Sequence, residues 1–190
     1  EQVLTLNPAY SEAAMNLAQL DLQEKNSQAA RKRYEAVLDR DKNNLPALLA
    51  LVNLASGKKE VVSLLERAAQ ASPSALQPRR LLVERYLKNN EAQKALSLAR
   101  EAQTANPDNA DALDLLGATQ LAAGETENAL ATYGKLAQMA PKSPLAHYKL
   151  ASLQATVNNL GAAKSSLHQA LDLKPDYLEA QAALISVELR

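Results

Sequence analysis

The 190-residue chain carries 21 basic and 21 acidic side chains, so no net field draws it to nucleic acid or to an anionic membrane surface. Cysteine, phenylalanine and tryptophan are absent, and alanine and leucine supply most of an apolar share of 47%. That composition suits closely packed helices with a sizeable core and excludes a disulfide framework or a thiolate site.

Taken in chain order, the predicted elements are punctuated at a fixed interval. Proline, once replaced by lysine, stands at Pro8, Lys42, Pro73, Pro107, Pro141 and Pro175, giving intervals of 34, 31, 34, 34 and 34 residues. Inside each interval two stretches carry apolar residues at i, i+3, i+4 and i+7, separated by turn-like pieces such as "QEKN" (23–26) and "AAGE" (122–125). Each interval therefore reads helix, turn, helix. Proline closes the second helix because it lacks an N–H and its ring collides with the preceding turn. Asn109 in "PDNA" and Ser143 in "PKSP" are placed to cap the next helix, with Pro144 at its first position.

The expected divisions are full repeats at 11–44, 76–109, 110–143 and 144–177 and a shortened repeat at 45–75. Residues 1–8 read as the tail of a preceding repeat, and 178–190 as the first helix of a further one. The shortened repeat lacks three residues, assigned to its inter-helix turn, and carries Val52 and Val61 where its helices cross, which predicts a wider crossing and a local change of curvature. The last helix bears Leu178, Leu184, Ile185, Val187 and Leu189 with no partner after it, so an exposed apolar end and self-association are expected.

Counted from the third residue after each proline, the eighth position holds Ala18, Val52, Val83, Gly117 and Ala151, and the twentieth holds Ala30, Val61, Ala95, Ala129 and Ala163. Small residues there let helix axes approach closely, while Leu17, Leu51, Leu82, Leu116 and Leu150 at the seventh position fill the space between repeats. In these features the sequence resembles tetratricopeptide repeats over essentially its whole length. The resemblance implies an all-α, right-handed α-solenoid of tandem antiparallel helix pairs. The family's aromatic at the fourth position is replaced here by Ala14, Leu48, Arg79, Leu113 and His147, so packing there is expected to be thinner or more polar.

No catalytic, cofactor or metal site is read from the sequence. His147 and His168 stand apart without ligands at metal spacing, the first as a packing residue and the second on an outer face. Glycine-rich phosphate loops and nucleophile motifs are absent. Tyr10, Tyr34, Tyr86, Tyr133 and Tyr177 fall at positions that face helix seams in the family, whereas Tyr148 falls where the family's first helix faces the concave surface, so its ring is offered equally to a ligand or to packing on a neighbour.

The resemblance places function in a concave groove lined by first helices, where a protein or peptide partner would bind Met15, Gln19, Leu49, Asn53, Arg80, Glu84, Lys88, Asp111, Asp114, Tyr148 and Ser152. Arg80 and Lys88 are expected to face Asp111 and Asp114, either as a polar recognition centre or simply paired with each other. A clamp for a terminal carboxylate is disfavoured, because Leu49, Asp111 and Leu115 stand where basic residues would be needed. The leading reading is a non-catalytic scaffold that binds neither nucleic acid nor, by insertion, a membrane. A regulatory or substrate-recruiting array of a larger enzyme such as a glycosyltransferase, or a self-assembly module, are the other readings. The Ala, Gln and Asn-rich wording of residues 96–154 is also similar to repeat lipoproteins that accompany exosortase (PEP-CTERM) and exopolysaccharide systems, which implies a bacterial envelope location and a role in organising a sorting or secretion complex.

Overall fold

The computed structural model describes the backbone of residues 9–190 and side chains from residue 11 onward; the expected tail at 1–8 and the side chain of Tyr10 lie outside the described residues. These residues form helices and no strand. In chain order the helices are α1 (Ala9–Gln23), α2 (Ser27–Arg40), α3 (Leu45–Leu54), α4 (Lys58–Ala71), α5 (Leu76–Lys88) and α6 (Ala92–Ala105), followed by α7 (Ala110–Ala122), α8 (Thr126–Met139), α9 (Pro144–Thr156), α10 (Leu160–Leu173) and α11 (Leu178–Glu188). The fold class is the α-solenoid of tandem antiparallel helix pairs. The chain divides into two compact units, Glu1–Arg85 and Tyr86–Arg190, with the boundary inside α5.

Every second helix stops two residues before the periodic position, with a non-helical residue in between: Asp41, Ser72, Asn106, Ala140 or Lys174. From that residue the carbonyl accepts the N–H three positions on, as in Ala75 to Ser72 (3.0 Å), Asn109 to Asn106 (3.2 Å), Ser143 to Ala140 (2.9 Å) and Tyr177 to Lys174 (3.1 Å). Proline thus occupies the second position of a β-turn, for which its fixed φ is suited. The turn at 41–44 closes in the same way (Asn44 N–H to Asp41, 3.1 Å) although Lys42 stands in the place of proline. Proline favours this joint without being needed for it.

Caps start the next helix. Asn109 Oδ1 accepts from the N–H of Asp111 (2.8 Å) and Ala112 (3.3 Å), and Ser143 Oγ from that of Ala146 (3.3 Å), as the sequence suggests; Asn26, Asn44 and Asn159 cap α2, α3 and α10 alike.

Inside four hairpins the middle turn residue is left-handed: Lys25 (φ 61°), Asn90 (60°), Gly124 (80°) and Asn158 (61°). The next N–H then returns to a carbonyl five residues back, Asn26 to Asp21 (2.7 Å) and Glu91 to Tyr86, Glu125 to Gln120 and Asn159 to Gln154 (each 2.8 Å), which satisfies a free helix end. The α3–α4 hairpin departs from this. Gly57 caps α4 at φ −118°, ψ 140° without a side-chain bond, and Ala55 makes only a 3.4 Å contact with the Val52 carbonyl. Its connection still holds three residues, 55–57, as the other hairpins do. The missing residues come instead out of α3, which has 10 residues where α5, α7 and α9 have 13. The expectation of a shortened turn is corrected: nearly one helical turn has been removed.

In unit 1, Ala14, Ala18, Ala30, Tyr34, Leu48, Leu51 and Leu64 close a core between α1, α2, α3 and α4. Leu17, expected to fill the space between repeats, is instead 38% exposed. In unit 2 one cluster joins Leu113, Ala129, Tyr133, Leu136, Ala146 and Leu153, and a second joins Ala151, Ala163, Leu167, Ala170, Ala180 and Val187. The alanines at the crossing positions are fully buried, which is what close approach of helix axes requires. On α11 and its C-cap, Leu178, Ile185 and Leu189 are 72%, 59% and 83% exposed, but Val187 is buried and Leu184 half-buried, so only part of the expected apolar surface is open.

Polar clasps fix the register of three helix pairs, each joining residues twelve apart: Arg33 to Asp21 (2.5 Å), Thr132 to Gln120 (2.7 Å) and Ser166 to Gln154 (2.8 Å). Where the fourth position is polar, the side chain has a bond to make. Arg79 donates to the Pro73 carbonyl (2.6 Å), His147 Nε2 to that of Pro141 (3.0 Å) and Gln181 to that of Pro175 (2.7 Å). Each ties a helix to the turn that precedes it. This bond requires the Nε2–H tautomer of His147, leaving its buried Nδ1 without a partner. His147 is a packing residue and His168 is exposed, in line with the sequence.

Candidate functional surface on the first helices

The first helices of unit 1 hold Met15 and Leu49 half-buried against the core, with Gln19, Asn53, Arg80 and Glu84 exposed. Apolar surface thus alternates with amides and charges. In unit 2, Lys88 and Asp111 are exposed, while Asp114 is half-buried and ion-paired with Lys149 of α9. Asp114 is therefore paired with Lys149, a residue outside the expected groove set. Lys149 was missed because it falls outside the family's groove positions. Its signal was available, since a charge 35 residues on lies one repeat and one residue away, where adjacent first helices meet.

Asp111, Asp114 and Lys149 rim a cleft of ≈ 90 Å³ between α7 and α9, whose walls include Leu136, Ala140, Leu145 and Ala146. Leu145 is 49% exposed at its mouth. The Lys149 ammonium also lies 6.0 Å from the centre of the Tyr133 ring. Burial, and to a lesser degree the Asp114 carboxylate, push the Tyr133 phenol up to about 12. Tyr133 itself is buried, with its ring against Gly117.

Tyr148 packs on Tyr177, with ring centres 5.2 Å apart and planes tilted by 53°, and Ser152 Oγ donates to the Tyr148 carbonyl (2.9 Å). Both remain half-buried on α9. Of the expected groove residues, the structure brings together Asp111 and Asp114 in one cleft, and Tyr148 and Ser152 on one helix turn. Among the described residues no group of His, Cys, Asp and Glu is arranged to hold a metal ion, and no helix is long and apolar enough to cross a membrane.

Residues 145–177, which span α9, α10 and the turn after them, match the family model of the tetratricopeptide repeat. Solved structures extend the likeness to about nine-tenths of the chain. The fold is the tetratricopeptide-repeat fold. YrrB, described as a tetratricopeptide-repeat protein with an unusual peptide-binding site, is similar at a TM-score of 0.67 and 22% identity, over 90% of this chain and 89% of that one. TTC0263 of Thermus thermophilus gives 0.63 and 19% over 95% and 100% of the two chains, and MamA of Desulfovibrio magneticus gives 0.67 and 18% over 88% and 97%. No curated protein matches the chain at a significant level. Within this fold, Arg79, His147 and Gln181 at the fourth position each bond to the turn before their helix.

Proposed function

We propose that the chain is a non-catalytic scaffold that holds a peptide or protein partner on its first helices. The observation that carries this reading is the α7–α9 cleft, where the exposed Asp111 and the Asp114–Lys149 pair stand beside the half-exposed Leu145. An apolar contact flanked by charges is the usual make-up of a peptide-recognition surface, the first for affinity and the second for orientation. Tandem helix pairs that present such a surface favour binding over catalysis, and the peptide-binding description of YrrB, a fold relative, points the same way.

A photo-crosslinking amino acid at Leu145 or Asn53 tests the reading in the native host. Partner adducts are expected from both positions and not from the exposed His168 on α10. Adducts from His168 alone would refute it.

Self-association is a second reading, favoured by the apolar side chains exposed on α11 and its C-cap, Leu178, Ile185 and Leu189. Sedimentation velocity over a hundredfold concentration range, with Ile185→Lys as control, separates the two readings.

A further inference from the structure

Three first helices of unit 2 stand side by side. The Lys149–Asp114 pair joins α9 to α7, and the Tyr148–Tyr177 ring contact joins it to the start of α11. Each of the three follows a β-turn of the same geometry, so their second residues share one edge. Those residues, one repeat apart, are Asp111, Leu145 and Glu179. Both carboxylates are exposed and neither is in an ion pair among the described residues, while the leucine between them is 49% exposed. The preceding turns add the exposed Asp108, Lys142 and Asp176, and Lys174 caps α10 with its ammonium 5.1 Å from the centre of the Tyr177 ring. Four carboxylates thus stand against two ammonium groups along this edge, and both flanks of Leu145 are acidic. A helix dipole accounts for a carboxylate in a first turn. It does not account for a half-exposed leucine at the same place on the helix between them.

We infer that this edge holds an extended segment of a partner protein carrying a basic, an aliphatic and a second basic residue at three-residue intervals. The inference rests on the first-helix reading and names the chemistry of the partner that reading leaves open. Basic side chains complement Asp111 and Glu179, and the aliphatic one covers Leu145. The interval follows from helix packing, since helices in contact lie about 8–10 Å apart. A polyproline II segment advances about 9 Å in three residues and returns every third side chain to the same face. Tyr148, one turn on from Leu145 and packed on Tyr177, adds the aromatic wall that such segments lie against.

The test uses the full chain and labelled, end-blocked peptides. Lys-Pro-Pro-Leu-Pro-Pro-Lys is the probe, and Glu-Pro-Pro-Leu-Pro-Pro-Glu, Lys-Pro-Pro-Ser-Pro-Pro-Lys and the closed-up Lys-Pro-Leu-Pro-Lys are its comparisons. Fluorescence anisotropy should show saturable binding of the probe and about tenfold weaker binding of each comparison. Amide shifts should fall on the first turns of α7, α9 and α11. Asp111→Lys combined with Glu179→Lys, two exposed changes whose folding is checked by circular dichroism, should reverse the preference between the lysine and glutamate peptides. No saturation at millimolar probe, a preference that survives the double change, or shifts confined to α8 and α10 would each overturn the inference. Partner adducts that persist at Leu145 after such a result would show that the basic segment, and not the scaffold reading, has failed.

Discussion

The ring of Tyr133 lies directly over Gly117: a Cβ placed on that glycine would stand 3.0 Å from Cζ and 3.1 Å from Cε1. Gly134 and Gly161 have nothing within 4 Å of the same position. Replacing a helix-interior glycine by alanine gains about 0.5–1 kcal/mol from reduced backbone freedom in the unfolded chain. Gly134→Ala should therefore raise stability by about that amount. Gly117→Ala should instead lose about 1 kcal/mol, because overpacking against a buried ring outweighs the gain. Urea melts of the two variants decide it: equal stabilisation would mean that the ring yields freely.

The Gln120–Thr132 clasp is buried at both ends. Gln120→Leu leaves the Thr132 hydroxyl without its acceptor and should cost about 1–2 kcal/mol. Adding Thr132→Val removes the stranded group and should recover most of the loss. A double-mutant cycle by chemical denaturation measures this coupling, and additive losses would show that the clasp contributes nothing specific.

Lys25 holds a left-handed conformation that a side chain enters at a cost of about 1–2 kcal/mol. Lys25→Gly should stabilise the chain by about 0.5–1 kcal/mol, after the added entropy of the unfolded glycine. Gly124→Ala, at φ 80°, should destabilise it by about 1 kcal/mol or more. Thermal unfolding followed by circular dichroism reads both signs.

The phenol of Tyr133 ionises at about 12 in the folded chain against 10 when exposed, because burial disfavours the phenolate. Its contribution to stability is thus complete below pH 10 and is lost as pH rises from 10 towards 12. In that window the slope from this one group approaches about 1.4 kcal/mol per pH unit. Tyr133→Phe should flatten the fall in urea midpoint between about pH 10 and 11. An identical fall in both proteins would remove Tyr133 as its cause.

The period, the caps at Asn109 and Ser143 and the small residues at helix crossings were legible in the sequence because each depends on a single residue type at a fixed spacing. What hydrogen bonds do across helices was not. The twelve-residue clasps pair Asp with Arg, Gln with Thr and Gln with Ser, so no one residue type marks them. The deletion in the second repeat could be counted but not placed, since removing three residues from a helix or from a turn leaves the same interval between Lys42 and Pro73. On the surface, position alone named Asp114 but not Lys149, whose reach along its own flexible stem decides the pairing.

The β-turns after the second helices share one geometry although their residues differ, and the turn at Lys42 adopts it without proline. Such joints are interchangeable. A recombination event that excises or duplicates one hairpin between two of them rejoins backbone of like conformation on both sides, with the same carbonyl available for closure. Heritable change in the number of hairpins is thereby made easier than change within one, and diversification of length can proceed while each surviving seam stays intact.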